Sequence, residues 1–343
     1  MNRRDFLKLS AAATIISCPS VLRAQDKKFA GVTLSINGYG GDWDRIIQER
    51  IVAPLERKTG LQVVFTPGTS PAALAKVLAA PENPAFDILM VDSPVMPEIL
   101  RTQAAAPVTS SDVKSITKAL PGTREFGDYG VPLGMPSIVL ARNTKSVKAT
   151  IKSFADLARP DLKDRVGLFN IENTVGLMQL IAMAEANGGS VDNIDPGFVA
   201  LAKLKPNVAT ITSSTVNMLQ LLEQDEVWAA PFFDGRVISL QKAGKPFEMV
   251  EPAEGTYSVV SYLNPVKTSK KPEAIYAFME EALSGEYPAA LASFFGYRPA
   301  VDVNMPTEVA DRMLKPKNQK SVDWTKVAAN RGAWLNRFNK EFR

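Results

Sequence analysis

The sequence predicts an α/β protein of two lobes, each a mainly parallel sheet flanked by helices, with a cleft between the lobes. Three observations support this: the length of the chain, strands that alternate with amphipathic helices, and polar turns where strands end. Without a predicted leader of 24 residues, 319 of the 343 residues remain, more than one hydrophobic core normally serves. Alternating strands and helices favour parallel sheets covered by helices.

Residues 1–24 have the pattern of an export signal. A basic stretch at 3–8, RRDFLK, precedes an apolar run at 9–16, and Leu22-Arg23-Ala24 is an acceptable cleavage site. The paired arginines, the apolar pair and Lys8 resemble a twin-arginine signal, so we expect export to the periplasm. The alternative is a cytoplasmic protein with a basic, apolar first helix. The run is shorter than the roughly 20 residues that span a bilayer.

Cys18 leaves a second processing route open. The segment IISC at 15–18 loosely fits a lipoprotein box, in which the cysteine is lipidated and anchors the chain to a membrane. Otherwise Cys18 is removed with the signal. A mature chain without cysteine forms neither a disulfide nor a thiolate metal site.

Composition argues for a binding protein. The chain has 40 basic and 36 acidic residues; removing four and one with the leader leaves a net charge of about +1 and no basic block that would indicate nucleic acid. Histidine is absent, which excludes Ser-His-Asp and Cys-His nucleophiles and histidine metal sites. We expect no enzymatic activity, no cofactor and no metal.

The first lobe is predicted to begin with a strand-helix-strand-helix-strand unit. Glycines at 38, 40 and 41 allow a ligand close to the backbone, and Asp42, Ser70 and Asp92 are candidate N-caps. Its predicted elements are a strand at 31–37, a helix at 43–58, a strand at 61–65, a helix at 71–80 and a strand at 86–91.

The second lobe is predicted to begin after a crossing near Gly134. Residues 25–135 and about 260–300 form lobe 1, residues 136–259 form lobe 2, and a C-terminal helical segment at about 301–343 packs on them. The predicted elements are strands at 131–133, 138–140, 166–169 and 227–233, and helices at 154–157, 175–186, 198–204, 216–224, 274–283, 287–295 and 323–338.

Five segments in order resemble the extracellular solute-binding proteins of ABC importers, in the group that includes the spermidine/putrescine-binding protein. They are NGYGGDWDRIIQERIVAPLERKTGLQVV (37–64), FDILMVDSP (86–94), YGVPLGMPSIVLARN (129–143), LLEQDEVWAAPFFDGR (221–236), and NPVKTSKKPEAIYAFMEEAL with FFGYRP (264–283, 294–299). The resemblance implies a type II periplasmic-binding-protein fold, a solute between the lobes, hinge closure, and delivery to a membrane permease by a monomer.

The resemblance also implies which residues bind the solute. Some have an ordinary structural alternative: core packing for Trp43 and Tyr257, and capping for Asp92, Asn173 and Thr174. The implied residues are Tyr39, Gly41, Trp43, Asp92, Ser93, Asn173, Thr174, Phe233, Asp234, Arg236 and Tyr257.

The identity of the solute stays open. Polyamine binders carry carboxylates at the second-lobe helix start and at the return crossing, where this chain has Asn173, Thr174 and the neutral residues 258–261, although Glu172 is adjacent. Ferric-ion binders use adjacent tyrosines, and no Tyr-Tyr pair occurs here. Hydroxyl turns at helix starts and Arg236 would suit a carboxylate or phosphonate. Rival functions are a receptor subunit that signals to a membrane sensor and a carboxylate-dependent hydrolase.

Overall fold

The computed structural model describes residues 27–342, so the predicted leader and Cys18 lie outside the described residues. The strands are β1 (Thr33–Gly38), β2 (Gln62–Pro67), β3 (Ile88–Asp92), β4 (Val131–Met135), β5 (Ile138–Asn143), β6 (Val166–Phe169), β7 (Val208–Thr212), β8 (Ala229–Phe233), β9 (Phe247–Val250), β10 (Thr256–Tyr257), β11 (Ser261–Pro265), β12 (Arg298–Pro299) and β13 (Gln319–Lys320).

Helices connect these strands. They are α1 (Asp42–Ile47), α2 (Ala53–Thr59), α3 (Ser70–Ala79), α4 (Met96–Thr102), α5 (Thr174–Ala186), α6 (Asp195–Ala202), α7 (Thr215–Glu223), α8 (Asp234–Lys242), α9 (Pro272–Ser284), α10 (Tyr287–Phe295), α11 (Thr307–Arg312) and α12 (Trp324–Glu341). Within residues 27–342, no helix combines the length and apolar character needed to cross a membrane.

Two mixed sheets form the framework. The first has the order β12-β4-β11-β3-β1-β2, in which β2, β1 and β3 are parallel and β11, β4 and β12 continue in antiparallel pairs. The second has the order β7-β6-β8-β5-β9, with β7, β6 and β8 parallel and β5 antiparallel to both neighbours. The predicted two-sheet α/β fold is confirmed. The sheets are mixed rather than mainly parallel, because only three strands of each sheet run parallel and the crossing strands run the other way.

The strand β3 is the centre of the first sheet. All five of its residues are buried. Ile88 and Met90 face one apolar core, while Leu89 and Val91 face another. A strand covered on both faces carries a continuous apolar run, which explains the ILMV sequence.

Two of the passages of the chain between the sheets lie side by side, and a third, after β12, leads to α12. The outgoing crossing joins β4 to β5 through Pro136 and Ser137, and the return crossing leads through residues 258–260 into β11. The crossings contact each other, since Ser137 bridges Ser258 in antiparallel fashion. These changes of sheet favour lobe boundaries near residues 135 and 259.

The C-terminal helix α12 contacts both lobes: it packs on the core of the second sheet and also lies against α4 and the 3₁₀ turn Ser93–Val95 that follows β3. Its buried side chains Trp324, Val327, Trp334 and Phe338 join that apolar cluster. Asp323 caps the helix by accepting hydrogen bonds from the amides of Thr325 and Lys326.

Local corrections concern the helix at 43–58 and two of the candidate caps. That helix is α1 and α2 joined by a π-helical turn at Gln48–Val52. Asp42 is the first residue of α1 rather than its cap, because Gly41 occupies the cap position with φ 61° and ψ −142°. Ser70 lies inside α3, and its hydroxyl accepts from the Asp92 amide instead of capping.

Candidate functional site

A cavity of about 530 Å³ lies where the two sheets meet. Turns from both sheets line it, with Pro136 of the outgoing crossing between them. The first sheet and its helices contribute Tyr39, Gly40, Gly41, Trp43, Pro67, Gly68, Thr69, Ser70, Asp92, Ser261 and Tyr297, and the second contributes Glu172, Asn173, Thr174, Ser213, Ser214, Thr215, Val216, Phe233 and Arg236.

Asp92, at the end of β3, is the most heavily hydrogen-bonded group of the cavity. Its Oδ1 accepts from the hydroxyls of Tyr39 (2.9 Å) and Ser261 (2.8 Å), and its Oδ2 accepts from Thr174 (2.8 Å). Burial raises the pKa of Asp92, while the hydrogen bonds from the three hydroxyls act against that increase. The carboxylate therefore joins both sheets.

The capping role considered for Asp92 does not occur. Asp92 stands at the N-cap position of the short 3₁₀ turn Ser93–Val95, but its side chain makes no capping bond. Three hydroxyl groups donate hydrogen bonds to the carboxylate instead. They come from distant parts of the chain, so the sequence around Asp92 does not reveal them.

An aromatic wall closes one side of the cavity. The ring of Trp43 lies 5.6 Å from that of Tyr39 and 5.8 Å from that of Tyr297. Trp43 is 3% exposed, belongs to the core of the first sheet and also lines the cavity. Core packing and cavity lining, posed as alternatives for Trp43, therefore coexist.

Gly41 brings the backbone of the first sheet's turn against the second sheet's helices. A Cβ built on Gly41 would lie 3.4 Å from Val216 Cγ2 and 4.0 Å from Arg236 Nη1. The positive φ of 61° also favours glycine at this position. Close approach across the cavity thus depends on the absence of a side chain.

The start of α5 contributes an acidic side chain and a cap. Asn173 accepts from the Val175 amide as N-cap and donates to the Ser213 carbonyl. Beside it, the carboxylate of Glu172 receives only long contacts, from Thr69 at 3.5 Å and Ser213 at 3.4 Å. The Glu172 carboxylate thus makes weak hydrogen bonds with one residue from each lobe.

Arg331, on α12, is a residue that the sequence analysis missed. Its Nη2 donates to the backbone oxygen of Glu172 at 2.8 Å, and burial lowers its pKa to about 10. The sequence indicated only a positive C-terminal tail and no contact with the cavity wall.

Arg236 is a buried cation, and within residues 27–342 its Nη1 lacks a hydrogen-bond partner. It lies in the first turn of α8 and is 3% exposed. Its guanidinium carbon lies 5.2 Å from the centre of the Phe295 ring. Such a contact stabilises the cation only in part.

Of the predicted residues, eight line the cavity: Tyr39, Gly41, Trp43, Asp92, Asn173, Thr174, Phe233 and Arg236. Ser93, Asp234 and Tyr257 do not line it.

These three residues have structural partners instead. Ser93 accepts from the Val260 amide at 2.9 Å and donates to the Val260 carbonyl at 3.3 Å, which holds the return crossing. Asp234 accepts from the amide of Ser137 at 3.1 Å, which holds the outgoing crossing. Tyr257 donates to Glu185 at 2.8 Å. The side chains of Ser93 and Asp234 therefore support the crossings.

Tyr297 was also missed as a cavity residue. It lies in the FFGYRP segment, but only the packing of its ring on Trp43 and Phe295 directs it to the cavity. Ser261, expected only as one of the neutral residues 258–261, and the hydroxyl turn at 213–215, which precedes α7, also line the cavity.

Residues 50–311 match the family model of the bacterial extracellular solute-binding protein. No curated protein matches the chain significantly.

Solved structures share the fold at low sequence identity. An ABC transporter protein from Clostridium perfringens is 23% identical, with a TM-score of 0.70 and coverage of 91% of this chain and 100% of its own. A binding protein from A. tumefaciens R10 in complex with agropinic acid is 19% identical, with a TM-score of 0.75 and coverage of 90% and 98%. A spermidine/putrescine transporter substrate-binding protein from Streptococcus pneumoniae is 18% identical, with a TM-score of 0.64 and coverage of 91% and 97%.

Proposed function

The chain belongs to the family of bacterial extracellular solute-binding proteins of ABC transporters, and we propose that it captures a small polar organic solute in the periplasm and delivers it to a membrane permease. The observation that carries this proposal is the cavity whose walls come from both sheets. Its volume of about 530 Å³ falls within the range of roughly 300–1,000 Å³ typical of small-molecule sites. We place the solute among the lining residues, with Tyr39, Trp43 and Phe233 as apolar surfaces.

Capture by hinge closure fits the arrangement of the crossings. Short crossing segments side by side are a geometry in which two rigid sheets rotate with little internal change. Asp92 and Thr174, which belong to different sheets, hydrogen-bond only when the sheets are close. A solute that contacts both walls would favour that state through its differential affinity.

Export to the periplasm is part of the proposal and rests on the sequence pattern of residues 1–24. Lipid attachment at Cys18 is the alternative route to the same compartment. A receptor subunit that signals to a membrane sensor would use the same closure, and permease and ATPase genes beside its gene would favour transport.

A carboxylate-dependent hydrolase would need two carboxylates that face one cavity, and Asp92 and Glu172 both line this cavity. Both oxygens of Asp92 accept from hydroxyls, which leaves this carboxylate poorly suited to act as a base. The family and fold are those of transport proteins rather than enzymes.

Thermal unfolding of residues 25–343 against polyamines, amino acids, phosphonates and sugars tests the proposal. A solute bound only by the folded protein stabilises it by about 2.7 kcal/mol at a hundredfold excess over Kd, a shift of several degrees. Small-angle scattering should then show a smaller radius of gyration with the active compound. A compound that is chemically converted by the protein would contradict the transport assignment.

A further inference from the structure

The side chain of Arg236 is the feature of the cavity that most needs a ligand. A buried charge without a hydrogen-bond partner is costly unless a counter-ion satisfies it. Asp44 attracts Arg236 electrostatically, but its carboxylate accepts from the Tyr39 amide at 2.9 Å. Arg236 itself lines the cavity, and its Nη1 is buried without an acceptor among the residues that the structure describes.

The first turn of α7 faces the same corner. Val216 and the Nη1 of Arg236 both lie within about 4 Å of a Cβ built on Gly41. Ser214 caps only the Asn217 amide, and the first amides of a helix have no acceptor within it. The N-terminus of this nine-residue helix adds partial positive charge beside the guanidinium. This corner is suited to an anionic group.

Glu172 supplies the opposite charge elsewhere in the cavity. Among the described residues, its two oxygens receive hydrogen bonds only from Thr69 at 3.5 Å and Ser213 at 3.4 Å, and Arg331 attracts the carboxylate electrostatically without bonding to it. Contacts of that length leave acceptor capacity for a shorter, charge-assisted bond from a cationic donor.

These charges discriminate among solute classes. A dication would bring an ammonium close to the unpaired Arg236, and Asp92 is already engaged by three hydroxyls. A dianion would bring its second acid group close to Asp92 or Glu172, which line the cavity, whereas Arg331, which attracts both carboxylates, does not line it. Like charges at short range in a buried site disfavour both classes.

On the premise that the cavity is the solute site, we propose that the ligand is an amino-carboxylate zwitterion. Its carboxylate binds Arg236 at the first turn of α7, and its ammonium faces Glu172. The cavity volume of about 530 Å³ leaves room for a substituent against the aromatic wall of Tyr39 and Trp43.

Matched ligand series test this assignment by calorimetry and thermal unfolding. The four-carbon set is 4-aminobutanoate, butane-1,4-diamine and succinate, and the six-carbon set is 6-aminohexanoate, hexane-1,6-diamine and adipate. The common L-amino acids and neutral sugars complete the panel. We expect zwitterions to bind and the diamines and diacids of the same length to bind at least about tenfold more weakly.

Variants assign the two ends of the ligand. Arg236→Gln should weaken zwitterion binding by about 10- to 100-fold, the factor expected for hydrogen bonds to a charged group. Glu172→Gln, at a partly buried position, should weaken the binding of 4-aminobutanoate, or of the zwitterion that binds best. It should not weaken the binding of the same carboxylic acid without its amino group. Arg101→Gln, on an exposed side chain of α4, is the control and should bind like the parent.

The outcomes separate the ligand class from the proposed function. Tight binding of a diamine, a diacid or a sugar that is unchanged in Arg236→Gln would overturn the assignment of a zwitterionic ligand. The proposed solute-binding function would still stand. Failure of every class to bind the parent protein would overturn both. The ranking of ligand classes on the parent protein needs no variant, so poor folding of Arg236→Gln does not remove the test.

Discussion

The carboxylate of Asp92, on the first sheet, accepts a hydrogen bond of 2.8 Å from the hydroxyl of Thr174, the first residue of α5 beside the second sheet. The two residues are 82 positions apart in the chain. Tyr39 and Ser261 engage the other carboxylate oxygen from the first sheet. Opening of the cleft would therefore break the hydrogen bond from Thr174 to Asp92, while those from Tyr39 and Ser261 could remain.

Thr174→Val should favour the open state of the cleft. The closed form loses a hydrogen bond to a charged, buried acceptor, which corresponds to about 1.5–3 kcal/mol. We expect solute affinity to fall by about tenfold or more, and the radius of gyration of the free protein to increase. Calorimetry and small-angle scattering measure the two effects.

Thr210→Val provides the matched control for that change. Thr210 lies in β7 of the second sheet, away from the cavity lining, where a β-branched residue is favoured. Equal affinity and equal dimensions in the Thr174 and Thr210 variants would show that the Asp92 contact does not influence closure.

Gly41→Ala should destabilise the protein and weaken solute binding together. The backbone at φ 61° and ψ −142° belongs to a region that other residues rarely adopt, at a cost of about 1–3 kcal/mol. Its new methyl group would also lie near Val216 and Arg236. Urea unfolding and calorimetry check both effects.

Gly68→Ala is the control for the glycine change, because Gly68 also lines the cavity and a Cβ there meets no atom within 4 Å. The backbone amide of Gly68 donates a hydrogen bond of 2.9 Å to the Gly38 carbonyl, and alanine at this position keeps that donor. We expect nearly parental stability. A comparable loss in both variants would mean that backbone strain at Gly41 is not the cause.

Much of the fold was predictable because its signals are local. The helix predicted at 287–295 is found at Tyr287–Phe295, and Gly296 ends it with φ 69°. The apolar run of β3 indicated a strand covered on both faces, as found. The π-helical turn at Gln48–Val52 was missed, since its apolar residues fit a regular helix equally well.

The site was predictable only in part because its contacts join distant segments. Ser261 reaches Asp92 across 169 positions, and Arg331 reaches Glu172 across 159. Asp234 and Ser93 follow strands, as ligand-binding residues do, but their side chains bond the backbone of the crossings. No local pattern distinguishes a side chain that meets a solute from one that supports a crossing.

Trp334→Ala should show how strongly α12 stabilises the protein. Trp334 is 6% exposed and packs in the core of the second sheet. Removal of a buried aromatic side chain costs about 3–5 kcal/mol. We expect a lower urea midpoint, measured by circular dichroism because the change removes a fluorophore.

Gly332→Ala, on the exposed face of the same helix, should raise the stability of the protein. A Cβ there meets no atom within 4 Å, and alanine in a helix interior is favoured over glycine by about 0.5–1 kcal/mol. Unchanged stability in both variants would show that α12 is not part of the cooperative unit.

Asp234→Asn should change the pH dependence of stability. Burial raises the pKa of Asp234 from 3.8 to about 7, against hydrogen bonds from Ser137 and Gly235. Between these values the folded protein holds a proton that the unfolded chain has released. The free energy of unfolding contributed by Asp234 is therefore greatest below about pH 4 and is lost as the pH rises through about 7.

The asparagine side chain retains an oxygen acceptor for the two amides but does not titrate. The parent should thus lose stability relative to Asp234→Asn as the pH rises from about 4 to about 8, by up to about 4 kcal/mol. Urea unfolding at intervals over this range measures the difference, with the exposed Asp311→Asn as control. A parent-to-variant difference that stays constant with pH would mean that Asp234 is ionised throughout, with its charge stabilised at the outgoing crossing by the two amides and Arg298.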